Sequence, residues 1–200
     1  MSIEEIRELE KKIQDLTGEL RKKQAELKPE TVPDYQFDTL YGKVALSEVF
    51  GSKDRLLVIH SMGQACRYCT LWADGINAFI PHLESAMSVV LVSKDSPETQ
   101  RQLANSRRWR FRMASHGGGA YQSEQVASDG MDNAPGVVCY EKSGNEIVRR
   151  ASSYFGPGDL YCSMWNFLGV AGIDVSGWTP QYNYWIRPEN LEDGGDSVLG

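Results

Sequence analysis

Two cysteines three positions apart, in Cys66-Arg67-Tyr68-Cys69, carry the strongest chemical signal in the chain. They follow a continuous apolar run, Arg55-Leu56-Leu57-Val58-Ile59-His60, and precede Leu71, Trp72, Ile76, Phe79 and Ile80 at helical spacing. That pattern predicts a buried strand, a loop through Gly63, and a helix that opens at the cysteines and ends at Pro81. Both sulfurs then lie at a helix N-terminus, on one side. They can close a small disulfide, and the helix dipole and unpaired N–H groups stabilise a thiolate on Cys66. The competing reading is half of a zinc site, which needs two further ligands. Cys139, Cys162 and the three histidines offer none at ligand spacing. Redox chemistry is the stronger reading.

Other reactive residue types earn less. His60, six positions before Cys66, is either a general acid/base beside the thiols or a core histidine bonded to backbone. Pro135, in Asn133-Ala134-Pro135-Gly136-Val137-Val138, suits the start of a strand, because proline cannot donate to the ladder. Cys139 and Cys162 read as small buried hydrophobes, so a resolving role for Cys162 need not be invoked. His82 and His116 read as loop or helix-end residues. Trp72 reads as core, and Asp74 as an exposed helix position. Gly117-Gly118-Gly119 neither follows a strand nor opens a helix, so it is no phosphate cradle. Trp178, Tyr182, Tyr184 and Trp185 read as a segment packed over the core. No organic cofactor and no metal is indicated.

The chain has 200 residues, 41% hydrophobic and 24% charged, which suits one globular domain with an appendage. Its net charge of −6 repels phosphate backbones and anionic surfaces, which argues against nucleic-acid and membrane partners. No apolar run approaches the ~20 residues of a membrane span. The start Met1-Ser2-Ile3-Glu4-Glu5 has neither the basic nor the apolar segment of a signal peptide. The expected setting is the cytoplasm, where thiols are kept reduced.

The elements that must position the cysteines can be traced outward. Residues 1–28 predict a helix whose Ile6, Leu9, Ile13, Leu16 and Leu20 form a heptad seam, interrupted at Lys23. It is either a homodimer contact or an amphipathic helix lying on its own domain. Residues 29–34, with Pro29 and Pro33, read as a stiff linker. The domain spans 35–188, and 189–200 is an acidic tail. Within the domain a short strand begins at Tyr35, and Ser88–Ser93 is a second buried strand. Ser96-Pro97 opens a helix to about Arg108. Trp109–Met113 reads as an edge strand, His116–Asp132 as loop, and Pro135–Arg150 as a β-hairpin. A last helix runs from about Gly158 to Leu168. Helices between apolar strands imply a three-layer α/β fold with a mixed sheet.

In this order the stretch from Tyr35 to Leu168 resembles the thioredoxin-like superfamily. The carriers are the Leu56–His60 strand, the C-x-x-C helix start, the Val89–Val92 strand, and Pro135 before a hairpin. More narrowly, Gly42-Lys43-Val44, Cys66 to Asp74, Trp109-Arg110-Phe111 and Asn183-Tyr184 resemble an uncharacterised thioredoxin-like family with an N-terminal helical extension. The resemblance implies a thiol–disulfide oxidoreductase: Cys66 attacks, Cys69 resolves, and Pro135 is the family's cis-proline facing the pair. Its partners would be protein or small-molecule thiols and disulfides. The alternative is a binding or scaffold module on the same fold, its cysteines reduced or holding a metal. Departures are plain. Arg67-Tyr68 replaces thioredoxin's Gly-Pro, and His60 stands where thioredoxin has a buried acid. The peroxiredoxin motif, a proline seven and a Thr or Ser three residues before its cysteine, meets Ile59 and Gly63 here.

Overall fold

The computed structural model describes residues 2–128, 130–144 and 146–181. Helix α1 (Ile3–Glu26) starts at a capping box: Ser2 Oγ accepts the Glu5 N–H, and the Glu5 carboxylate accepts the Ser2 N–H. Residues 29–34 are more than a linker. Glu30–Val32 forms β1, paired antiparallel with the last strand, so the segment between its two prolines is hydrogen-bonded sheet. Then follow β2 (Gln36–Thr39), β3 (Gly42–Ala45), α2 (Leu46–Val49) and β4 (Arg55–His60). Next come α3 (Arg67–Ala86), β5 (Ser88–Ser93), α4 (Pro97–Arg107) and β6 (Arg112–Ser115). A short α5 (Gly119–Tyr121) runs on as a π-helical turn, Gln122–Val126. The hairpin strands β7 (Gly136–Ser143) and β8 (Glu146–Tyr154) precede α6 (Met164–Val170).

Among the described residues, eight strands form one mixed sheet in the order β1-β8-β7-β4-β5-β6-β2-β3. β4, β5 and β6 are parallel neighbours, and the other pairings are antiparallel. Alternation along β4 and β5 sorts the core into two layers. Leu56, Val58, Val90 and Val92 face Phe37, Leu46, Phe50, Tyr121 and Tyr140. Leu57, Ile59, Val89 and Leu91 face Trp72, Ile80, Phe111, Phe155 and Trp165. α3 and α6 cover the second face.

Four expectations need correction. β6 is interior, bonded to β5 and β2, and begins only at Arg112; β1 and β3 are the edges. α3 passes through Pro81 to Ala86, because losing one N–H costs less than uncovering Ile80 and Leu83 from the sheet. The stretch from His116 is not all loop, since Tyr121 and Val126 are buried in the core. The last helix begins at Met164, after a turn held by Asp159, whose carboxylate accepts the Gly156, Tyr161 and Cys162 N–H groups. Tyr182, Tyr184, Trp185 and the 189–200 tail lie outside the described residues.

Candidate active site

β4 delivers the chain to the rim of the sheet at His60, where the approach to α3 begins. The Ser61 N–H still bonds the Val92 carbonyl at 2.9 Å, but then the chain turns. Gly63 turns it with φ of +114°, and the Gln64 N–H donates to Asp95 Oδ2 at 2.7 Å. The Cys66 N–H closes back on the Gly63 carbonyl at 3.0 Å. Asp95, just beyond β5, thus anchors the loop carrying the first cysteine. It was missed in the sequence because the pairing spans 31 positions, although an acid at the carboxyl end of a parallel strand is a recognisable place for function.

Cys66 is itself the N-cap of α3, with extended backbone at φ −96° and ψ 103°. Its Sγ accepts the Cys69 N–H at 3.1 Å, and its carbonyl accepts both the backbone N–H and the hydroxyl of Thr70 at 3.1 Å. Cys69 Sγ accepts the Met62 N–H at 3.3 Å. The two cysteines are joined as a disulfide, their Cα atoms 5.2 Å apart. Cys66 is half-buried, whereas Cys69 is 5% exposed. The outer sulfur is the one an incoming group can meet.

Tyr68, inside the pair, packs its ring 6.1 Å from Trp72 and 6.3 Å from Trp165, and its hydroxyl donates to the Trp178 carbonyl at 3.4 Å. The aromatic side chain thereby anchors the first turn of α3, at a place where thioredoxin uses proline. Trp178 packs on Trp165 as expected of a covering segment. Asp74 is not a free surface position. It accepts from Arg107 Nε at 2.9 Å and Trp109 Nε1 at 2.7 Å, and it ion-pairs with the Arg107 Nη2, tying α3 to the end of α4.

His60 points away from α3. It shares the face of Leu56 and Val58, and its Nε2 lies 2.7 Å from the Tyr121 hydroxyl. Burial, aided by nearby His116, lowers its pKa from 6.5 to about 3, so the ring stays neutral. It is the core histidine of the two readings, bonded to a tyrosine rather than to backbone. An acid/base role toward the thiols has no geometric support. Burial, with Lys94 next in weight, likewise lowers His116 to about 4.

Pro135 sits where the order of elements expects it. Asn133 Nδ2 donates to the Met62 carbonyl at 3.1 Å, and Gly136 pairs with His60 across the β4–β7 ladder. Its peptide bond is not the expected one, since no cis peptide occurs among the described residues, so Pro135 does not match the family's cis-proline. The trans chain runs straight into β7, with the Pro135 carbonyl accepting the Phe155 N–H at 3.0 Å. Burial raises the thiol pKa values of Cys139 and Cys162, as befits unreactive packing residues. Among the described residues no three His, Cys, Asp or Glu side chains converge to hold a metal ion.

Residues 4–187 match the family described as "Bacterial protein of unknown function (DUF899)". The chain belongs to this family. No curated protein matches it. Among solved structures this DUF899 chain is similar to AhpC of Enterococcus faecalis, at 11% identity and TM-score 0.52, covering 73% of this chain and 96% of that one. It is also similar to reduced Prx3 of Vibrio vulnificus, solved in complex with H2O2, at 10% identity, 72% and 96% coverage and TM-score 0.54. A putative thioredoxin reductase from Burkholderia cenocepacia matches at 15% identity, 75% and 96% coverage and TM-score 0.51. At these identities the likeness establishes the fold: the DUF899 chain is a thioredoxin-like α/β protein of the kind peroxiredoxins share. No helix among the described residues is long and apolar enough to cross a membrane.

Proposed function

We propose that the protein is a thiol–disulfide oxidoreductase working through Cys66 and Cys69. The carrying observation is the disulfide at the N-terminus of α3, with its outer sulfur half-buried and its inner one covered. In the reducing direction, the Cys66 thiolate attacks one sulfur of a substrate disulfide and displaces the other sulfur as a thiolate, which takes up a proton. The Cys69 thiol loses its proton and attacks Cys66 Sγ. The second substrate thiol leaves, and the Cys66–Cys69 disulfide has gained the bond the substrate lost. Two electrons pass from dithiol to substrate, and an external thiol donor restores the dithiol. Protein or small-molecule disulfides are the substrate class, and the cytoplasm is the proposed setting.

The Cys69 N–H and the N-terminus of α3 favour the Cys66 anion. The test compares Cys66→Ser with Cys69→Ser in a disulfide-reduction assay. Cys66→Ser should abolish turnover, and Cys69→Ser should accumulate a mixed disulfide with substrate. Full turnover by Cys66→Ser would end this reading.

A peroxide substrate is a second reading, favoured by the fold likeness to Prx3 in complex with H2O2. Ile59 and Gly63 replace the proline and the Thr or Ser of that chemistry. Consumption of H2O2 by the reduced protein, at a rate matching disulfide reduction, would bring it forward. A non-catalytic scaffold would instead leave the dithiol inert toward both oxidants.

A further inference from the structure

Helix α1 carries an apolar seam that the described residues of its own domain leave uncovered. Ile6, Leu9, Ile13, Leu16 and Leu20 are between 42% and 64% exposed, and no residue of the helix is buried. The helix rests on the domain along a neighbouring stripe instead. Its half-buried residues are Thr17 and Gln24, and Gln24 borders a groove lined by Leu57, Phe79 and Leu160 beside β8. A 24-residue helix is about 36 Å long, so the seam is a long apolar strip in water.

We propose that the seam is covered by α1 of a second copy of this chain, packed antiparallel. Two independent features choose this occupant and this direction. The first is charge. The N-terminal turns hold Glu4, Glu5, Glu8 and Glu10 against Arg7, whereas the C-terminal turns hold Arg21, Lys22 and Lys23 against Glu19 and Glu26. Reversed pairing sets each acidic end on a basic end and opposes the two helix dipoles.

The second feature is the seam itself. Laying Ile3–Glu26 end to end on a reversed copy places Ile13 on Leu16 of the second copy, Leu9 on its Leu20, and Ile6 on its Lys23. Every a position then meets a d position over the whole helix. Lys23, which interrupts the heptad, lays its stem along Ile6 and reaches the acidic turns. Parallel pairing would stack Lys23 on Lys23 within the seam. Reversal turns the sequence's one flaw into a matched contact.

The experiment uses the full chain. Sedimentation equilibrium should find a dimer, and Leu16→Glu should weaken it by more than about tenfold, since it puts a charge into the paired seam of each helix. The far-UV spectrum of the domain and the Cys66–Cys69 thiol count should not change, which separates this outcome from any failure of the redox reading. Separately tagged Leu9→Cys and Leu20→Cys chains, mixed and oxidised, should form a covalent heterodimer in preference to either homodimer. A monomer at the highest attainable concentration, a dimer indifferent to Leu16→Glu, or preferential Leu9→Cys homodimers would each overturn the proposal.

Discussion

Gly63 and Asp95 meet so closely that no side chain fits between them: a Cβ on Gly63 would stand 2.7 Å from Asp95 Oδ1. The same carboxylate accepts the Gln64 N–H at 2.7 Å, and Gly63 holds a φ of +114° that only glycine adopts freely. The approach to Cys66 is therefore clamped from the neighbouring strand. Gly63→Ala combines a backbone strain with a steric clash and should destabilise the fold by about 1–3 kcal/mol in urea unfolding. Asp95→Ala leaves the Gln64 N–H unpartnered, at a cost of about 1–2 kcal/mol. Both should also broaden the range of alkylation rates at reduced Cys66, because its loop loses a fixed position.

Acid should weaken the protein through His60. Its pKa falls from 6.5 in the unfolded chain to about 3 in the fold, so the unfolded state binds the extra proton between those values. Stability from the neutral ring is complete above pH 6.5 and is lost as pH falls toward 3, at up to about 1.4 kcal/mol per pH unit. His60→Gln keeps a partner for Tyr121 and does not titrate. Its melting temperature should fall less steeply over that window, and an unchanged slope would locate the acid sensitivity elsewhere.

Arg107 is 4% exposed at its side chain and ion-pairs with Asp74. Asp74→Ala removes the carboxylate that accepts from the covered guanidinium and from the Trp109 indole N–H. Denaturant unfolding should show a loss of about 2–4 kcal/mol. Asp74→Asn should lose less, because one oxygen remains.

Thiol labelling of the reduced, native protein should follow position. Cys66 reacts first at the helix terminus, and Cys69 follows from beneath it. Cys139 and Cys162, with burial raising both thiols, react last. Mass spectrometry of a timed alkylation series reads the order directly. Equal rates at all four would remove the special standing of Cys66.

The thiol site was legible in sequence where it is local. The β4 run, the loop and the α3 start occupy consecutive residues, so strand burial and helix spacing place both sulfurs. What joins distant segments was not legible. The β2–β3 hairpin leaves β1 and pairs with β6 across the sheet, which no local pattern records, so β6 passed for an edge. Tyr121 was hidden behind three glycines that read as loop. His60 looked ready for chemistry because it precedes the cysteines, yet strand alternation turns it to the opposite face. Nor does the local sequence record that the Pro135 carbonyl accepts the Phe155 N–H, a contact 20 positions away.

One proton reports on the whole reaction. The Cys69 N–H bonds Cys66 Sγ, the atom that changes partner at every proposed step: bridged to Cys69, free as an anion, or bound to substrate. The acceptor strength of that sulfur rises when it becomes a thiolate and falls when it is bonded to another sulfur. A single backbone resonance, assigned by isotope labelling at Cys69, should move downfield on reduction and back on oxidation. The cap that starts the helix is thus also its gauge, and the redox state of the pair can be followed without a dye or a mutation.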